Sequence, residues 1–159
     1  MTVKKPAAVH VDSLQVTKGS GYPAPFDEPC KERARRVLGD LFGLTDFGVN
    51  IVELAPGAWS SQRHWHSHED EFVYILSGTP TLITDEGEQE LSAGMCAGFK
   101  AGVANGHQLV NKSQSPATYI EMGSRKVEDD GHYPDIDLEI LKRAKGGTFT
   151  QKDGTPYPE

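Results

Sequence analysis

Between residues 46 and 123 the chain breaks into short runs rich in β-branched and aromatic residues, each bounded by turn signals, and this punctuation admits few folds. The runs cover 47–54, 72–76, 81–84, 109–110 and 117–122, with Ser77-Gly78, Asp85-Glu86-Gly87 and Ala93-Gly94 among the breaks. Regularly spaced short strands of this kind describe an all-β sandwich or barrel. The 17 Gly and 10 Pro agree, since both residues favour turns over long helices.

A chain of 159 residues builds one core rather than two. The reading is therefore an N-terminal arm at 1–30, a barrel at 31–123 and a C-terminal arm at 124–159. Segment 19–25, rich in Gly and Pro, continues neither a helix nor a central strand. Segment 31–38 fits a short helix or a strand equally well. In the C-terminal arm, Ile136, Leu138, Ile140 and Leu141 supply enough apolar surface to dock it on the barrel or on a second subunit. Run 72–76 is apolar on both faces, Phe72, Tyr74 and Leu76 on one and Val73 and Ile75 on the other. One face then lines the interior while the other meets a further surface, so a homodimer is expected.

The formal net charge of -7 speaks against nucleic acid as a partner, because a phosphate-backbone binder needs a basic face. No stretch of eighteen apolar residues marks a membrane span, and residues 1–10 lack the apolar core of a signal peptide. A soluble, cytoplasmic protein without membrane partners is expected. Cys30 and Cys96 are too few for a disulfide framework and read as buried small side chains.

The densest chemistry is the run His64-Trp65-His66-Ser67-His68-Glu69-Asp70-Glu71. On a strand, alternate side chains share a face, so His64 and His66 can hold one ion between them while Arg63 and Trp65 face away. Residues 67–70 read as a bend, with His68 a surface histidine and Glu69 and Asp70 solvated, unless one carboxylate orients a ligand imidazole. Glu71 opens the next strand, where its carboxylate returns to the same ion and Val73 and Ile75 follow it inward. His107, just before an apolar run, supplies a third imidazole. Three imidazoles and one carboxylate suit one divalent transition metal, Mn, Fe, Ni, Co or Zn, and leave open positions for a small-molecule substrate or water. Tyr119 and Glu121 share a face on the last strand of the barrel, so both enter the pocket or both leave it. Inside, a phenol and a carboxylate make a candidate catalytic acid–base pair. Lys100, near the mouth, reads as a surface lysine.

These residues resemble the two motifs of the cupin superfamily. The first runs His64-x-His66, four residues, Glu71, six residues, Gly78, with Gly57 one residue further upstream than the motif has it. The second runs Gly94, five residues, Lys100-x-Gly102, then His107, three residues and Asn111. Lys100 stands where the motif has Pro, and two extra residues precede His107. The runs 64–74 and 152–158 are also similar to a bacterial group of small stand-alone cupins named as sugar-phosphate isomerase-like. The resemblance implies a double-stranded β-helix, or jelly-roll, barrel with a metal at His64, His66, Glu71 and His107. It implies an enzyme acting on a small oxygen-rich metabolite, with isomerisation of a sugar or sugar phosphate suiting the metal. An Fe(II) dioxygenase and a non-catalytic metal-dependent sensor or carrier fit the same residues.

Overall fold

The computed structural model describes residues 7–144 and 146–158; residues 1–6, at the start of the expected N-terminal arm, Lys145 and Glu159 lie outside them. The strands are β1 (Thr17–Lys18), β2 (Arg33–Val37), β3 (Phe47–Leu54), β4 (Trp65–His66), β5 (Glu71–Ser77), β6 (Thr81–Thr84), β7 (Gly87–Glu90), β8 (Cys96–Phe99), β9 (Gln108–Val110), β10 (Ala117–Ser124), β11 (Asp129–Tyr133), β12 (Leu138–Arg143) and β13 (Gly146–Thr150). A single turn of helix, α1 (Gly39–Phe42), joins β2 to β3. Among the described residues no helix is long and apolar enough to cross a membrane.

The strands form three antiparallel sheets, in the orders β1-β2-β3-β10-β5-β8, β7-β6-β9 and β13-β12-β11-β4. Bridges Trp59 to Val110 and His64 to His107 lay segment 59–64 beside β9, so the second sheet runs on through this segment into β4 and the third. The core is the layer between. Val52, Leu54, Val73, Ile75 and Tyr119 enter it from the six-stranded sheet, and Leu82 and Leu109 enter from the other side. Tyr74 and Leu76, on the opposite face of β5, are exposed.

Segment 31–38 contains a strand, not a helix, and its residues pair with β3 from Arg33 opposite Leu54 to Val37 opposite Asn50. Tertiary pairing outweighs the helical propensity of arginine and alanine here. Gly78 shows why the turn after β5 is glycine: φ is 76°, and a Cβ would lie 2.6 Å from the backbone at Pro116 and Ala117. The C-terminal arm is a meander of three strands whose first, β11, pairs with β4 next to the histidines, while Tyr133 and Leu138 are buried. One expectation needs correction. Cys96 is exposed rather than buried, because β8 is the edge strand of its sheet; Cys30 is buried.

Candidate metal centre

The inner face of the six-stranded sheet changes character along its strands. Across β3, β10 and β5, one level holds Val52, Tyr119 and Ile75, and the next Asn50, Glu121 and Val73. Glu71 stands one level further, beside Gly123. The apolar core thus gives way to polar side chains within two levels, and the space above them is a cavity of about 600 Å³.

Glu71 is the focus of that cavity. Its Oε2 lies 3.6 Å from His64 Nε2, 3.7 Å from His66 Nε2 and 2.7 Å from His107 Nε2. Two donors each about 2.1 Å from one ion sit roughly 3.0–3.4 Å apart; the His64 and His66 nitrogens stand slightly beyond that from Glu71, while His107 Nε2, at hydrogen-bond distance, donates to Glu71 directly. His64, His66 and Glu71 can each present one ligand atom within 4.8 Å of the others. They form a cluster that can hold a metal.

Hydrogen bonding settles which nitrogen two of the imidazoles offer. His64 Nδ1 sits 2.8 Å from the Gln62 carbonyl, an acceptor only, so Nδ1 donates and Nε2 keeps its lone pair for the cavity. His66 Nδ1 donates in the same way to Asp129 Oδ2 at 2.5 Å. Asp129, 2% exposed, also accepts from the backbone N–H of His68 at 2.8 Å and of Glu69 at 3.2 Å. Gly131 pairs with His66 across the strands, and a Cβ there would fall 2.6 Å from the Ile140 side chain. His107 is held by stacking, its ring 3.6 Å from and nearly parallel to that of Phe99, and its Nδ1 is buried without a partner.

The electrostatics follow from the packing. Burial pushes the Glu71 carboxyl up, but the hydrogen bond from His107 and the closeness of the His64 and His66 imidazoles outweigh it, holding the group well below its ordinary range. Burial pulls His64 down, yet the nearby Glu71 carboxylate leaves it raised. For His107 burial wins and the ring is shifted toward neutrality, the form in which imidazole binds a metal.

The chain shares its architecture with solved proteins. A cupin-superfamily sugar phosphate isomerase from Silicibacter pomeroyi is 42% identical over 95% of this chain and 96% of its own length, with a TM-score of 0.91. The chain belongs to the cupin superfamily. The cupin domain family Cupin_2 matches residues 50–123 of this cupin, the stretch that carries both histidine motifs. A protein from Acidithiobacillus ferrooxidans with the same name by attribution is 25% identical over 80% of this chain and 81% of its own, at a TM-score of 0.72. A polyketide cyclase from Streptomyces resistomycificus, 18% identical over 76% of this chain and 80% of its own, shares the fold at a TM-score of 0.63. Comparison with curated proteins finds no match.

The remaining sequence candidates separate cleanly in this cupin. Tyr119 and Glu121 both line the cavity. Asn50 donates to Glu121 at 2.8 Å and Arg33 at 3.2 Å, while the Tyr119 hydroxyl is buried without a partner. Burial, helped by the charge of Glu121, raises the phenol well above its ordinary value and keeps it protonated. Arg63 faces away, fixed by Asp135, Asp85 and the Gly106 carbonyl. His68 and Lys100 are exposed, and Asp70 accepts from the Ala101 N–H. Glu69 pairs with Lys142, so the carboxylate that orients an imidazole is Asp129. Asn111 of the second motif is structural: fully buried, it donates to the carbonyls of Leu54 and Ser115 and accepts from Ser113. Sequence reading passed over Asp129, Arg33 and Arg35. The signals were present as alternation, Asp129-x-Gly131-x-Tyr133 and Arg33-x-Arg35, but the inward residues are polar or small and look like solvated charge runs.

Proposed function

We propose that this cupin is a metal-dependent enzyme that isomerises a sugar or sugar phosphate, holding one divalent transition metal through His64, His66, Glu71 and His107. The observation that carries the reading is the convergence of those four side chains at one end of a cavity whose adjoining wall holds Glu121 and Tyr119. The names of the relatives from Silicibacter pomeroyi and Acidithiobacillus ferrooxidans support the substrate class. A cavity of about 600 Å³ suits a small metabolite.

When bound, the metal supplies Lewis acidity to a carbonyl and its neighbouring hydroxyl. Glu121 lies one strand across and two residues along from Glu71, which puts the two Cα atoms about 8 Å apart on the same face. That reach lets its carboxylate take a proton from the carbon beside the carbonyl and return it to the carbonyl carbon. Arg33 and Asn50 hold the carboxylate in place, and the Tyr119 phenol, protonated and without a partner among the described residues, is available to give its proton to the carbonyl oxygen and recover one from the neighbouring hydroxyl, which completes the exchange. Leu109 and Val73 form apolar walls that limit water around the transferred proton.

The test is to strip the protein of metal, reload Mn, Fe(II), Co, Ni or Zn singly, and assay each form against aldoses, ketoses and their phosphates with and without oxygen. Interconversion that follows metal occupancy is expected. Turnover that requires oxygen instead makes it a dioxygenase, and tight binding of a compound that emerges unchanged makes it a sensor or carrier.

A further inference from the structure

Five cationic side chains line the cavity apart from the histidines: Lys18, Arg33, Arg35, Arg125 and Lys142. Four of them are neutralised within the protein. Lys18 reaches Glu32 at 2.9 Å, Arg33 reaches Glu121 at 3.2 Å, Arg125 pairs with Asp40 and Lys142 pairs with Glu69. Among the described residues no carboxylate pairs with Arg35; its Nε is shut off from water without an acceptor, as are those of Arg33 and Arg36, but of the three only Arg35 both lines the cavity and lacks an ion pair. Arg63 shows the contrast: a structural arginine of the same fold is clamped by two aspartates and a carbonyl.

The place of Arg35 follows from strand register. It stands opposite Val52, which on its other side stands opposite Tyr119, so Arg35 and Tyr119 share the inward face of the sheet. The neighbouring Arg36 has the opposite parity and belongs to the outer face. A half-buried guanidinium without counter-charge is costly, because it has lost part of its hydration and gained no ion pair. The chain has 23 Asp and Glu against 16 Lys and Arg, so acidic partners are plentiful, yet none is spent here. Among the described residues the cavity therefore carries one uncompensated cation in its wall, three strands from Glu71.

We infer that Arg35 forms an oxyanion subsite that takes the phosphate or carboxylate end of a substrate whose other oxygens reach the His64, His66 and Glu71 cluster. The planar fork of a guanidinium donates two parallel hydrogen bonds to either group. The position of the other end rests on the isomerase reading, whereas the binding of the anion does not.

Two measurements separate these. Metal-free full-length protein is titrated calorimetrically with inorganic phosphate and with malonate, for the unmodified chain, Arg35→Gln, Arg35→Lys and the outer-face control Arg36→Gln. One-to-one binding is expected, weakened roughly tenfold or more in Arg35→Gln, partly kept in Arg35→Lys and unchanged in Arg36→Gln. The stronger of the two anions identifies the tetrahedral or planar group the subsite prefers. Manganese-loaded protein is then titrated with glucose 6-phosphate and glucose, and the advantage of the phosphate form should vanish in Arg35→Gln. Circular dichroism and metal content of each variant report whether the fold and the histidine cluster survive. Equal phosphate affinity in the unmodified chain and Arg35→Gln, or no binding of either anion at about 10 mM, overturns the subsite. Arg35-dependent binding without turnover defeats the isomerase reading alone, and turnover of sugar phosphates indifferent to Arg35→Gln defeats the subsite alone.

Discussion

Glu71 and Glu121 project from neighbouring strands into the same cavity, yet their surroundings differ in kind. Glu71 is met by three imidazole Nε2 atoms, two of them freed for a ligand by acceptors on the far side of the ring. Glu121 is met by N–H groups of a guanidinium and of an amide, both of which donate to it. One carboxylate is thus equipped to help hold a cation of variable identity, and the other carries a permanent one. The same side chain on the same sheet is set among imidazoles or among fixed donors according to what faces it.

The contrast breaks most sharply at the histidines. His66→Ala should take metal content from near stoichiometric to near zero by elemental analysis, and the thermal stability gained from metal should go with it. Equal metal in both proteins would remove the basis for treating the Glu71 end as a metal site.

Glu121→Gln probes the other end. Metal content should stay as it was, while kcat for the interconversion falls about 10²- to 10⁴-fold, the range for loss of a general acid–base group. A variant that loses metal in proportion to activity would place both carboxylates in one site and erase the distinction.

Asp129→Asn tests the support of the metal end and has a smaller effect. Metal affinity should fall about 10- to 100-fold, as is usual when the acceptor behind a ligand imidazole is weakened. The same residue predicts a pH signature in the metal-free protein. Burial raises the Asp129 carboxyl, but the His66 hydrogen bond and the backbone N–H groups of His68 and Glu69 outweigh it and hold it below its ordinary 3.8. A depressed folded-state value adds stability above 3.8 that is lost as pH falls through the folded pKa. The melting temperature of the unmodified chain should therefore drop more steeply below about pH 4 than that of Asp129→Asn. Parallel curves would show that Asp129 is not held by these bonds.

Legibility in the sequence followed hydrophobic contrast. Runs 47–54 and 81–84 became β3 and β6 without change, because their apolar residues sit between strong turn formers. Strands β7 and β11 were missed for the opposite reason: Gly87-Glu-Gln-Glu90 is exposed throughout, and Asp129-Asp-Gly-His-Tyr133 turns an aspartate and a glycine inward. At the site, the alternation of His64 and His66 and the position of Glu71 at a strand start were readable from spacing alone, since a strand's period of two leaves only one arrangement.

What the sequence determined by itself was the set of local facts: short strands, the turn at Gly78, and a histidine pair and a glutamate on one face. Tertiary structure alone decided which distant groups those residues meet. Asp129 reaches His66 across 63 residues, and Arg33 reaches Glu121 across 88. Both depend on strand pairing, β11 against β4, and β2 against β3 with β3 against β10, and pairing is chosen by the packing of whole sheets. The physical reason is range: backbone geometry fixes where a side chain points within a few residues, whereas its partner across the cavity is set only when the chain closes on itself.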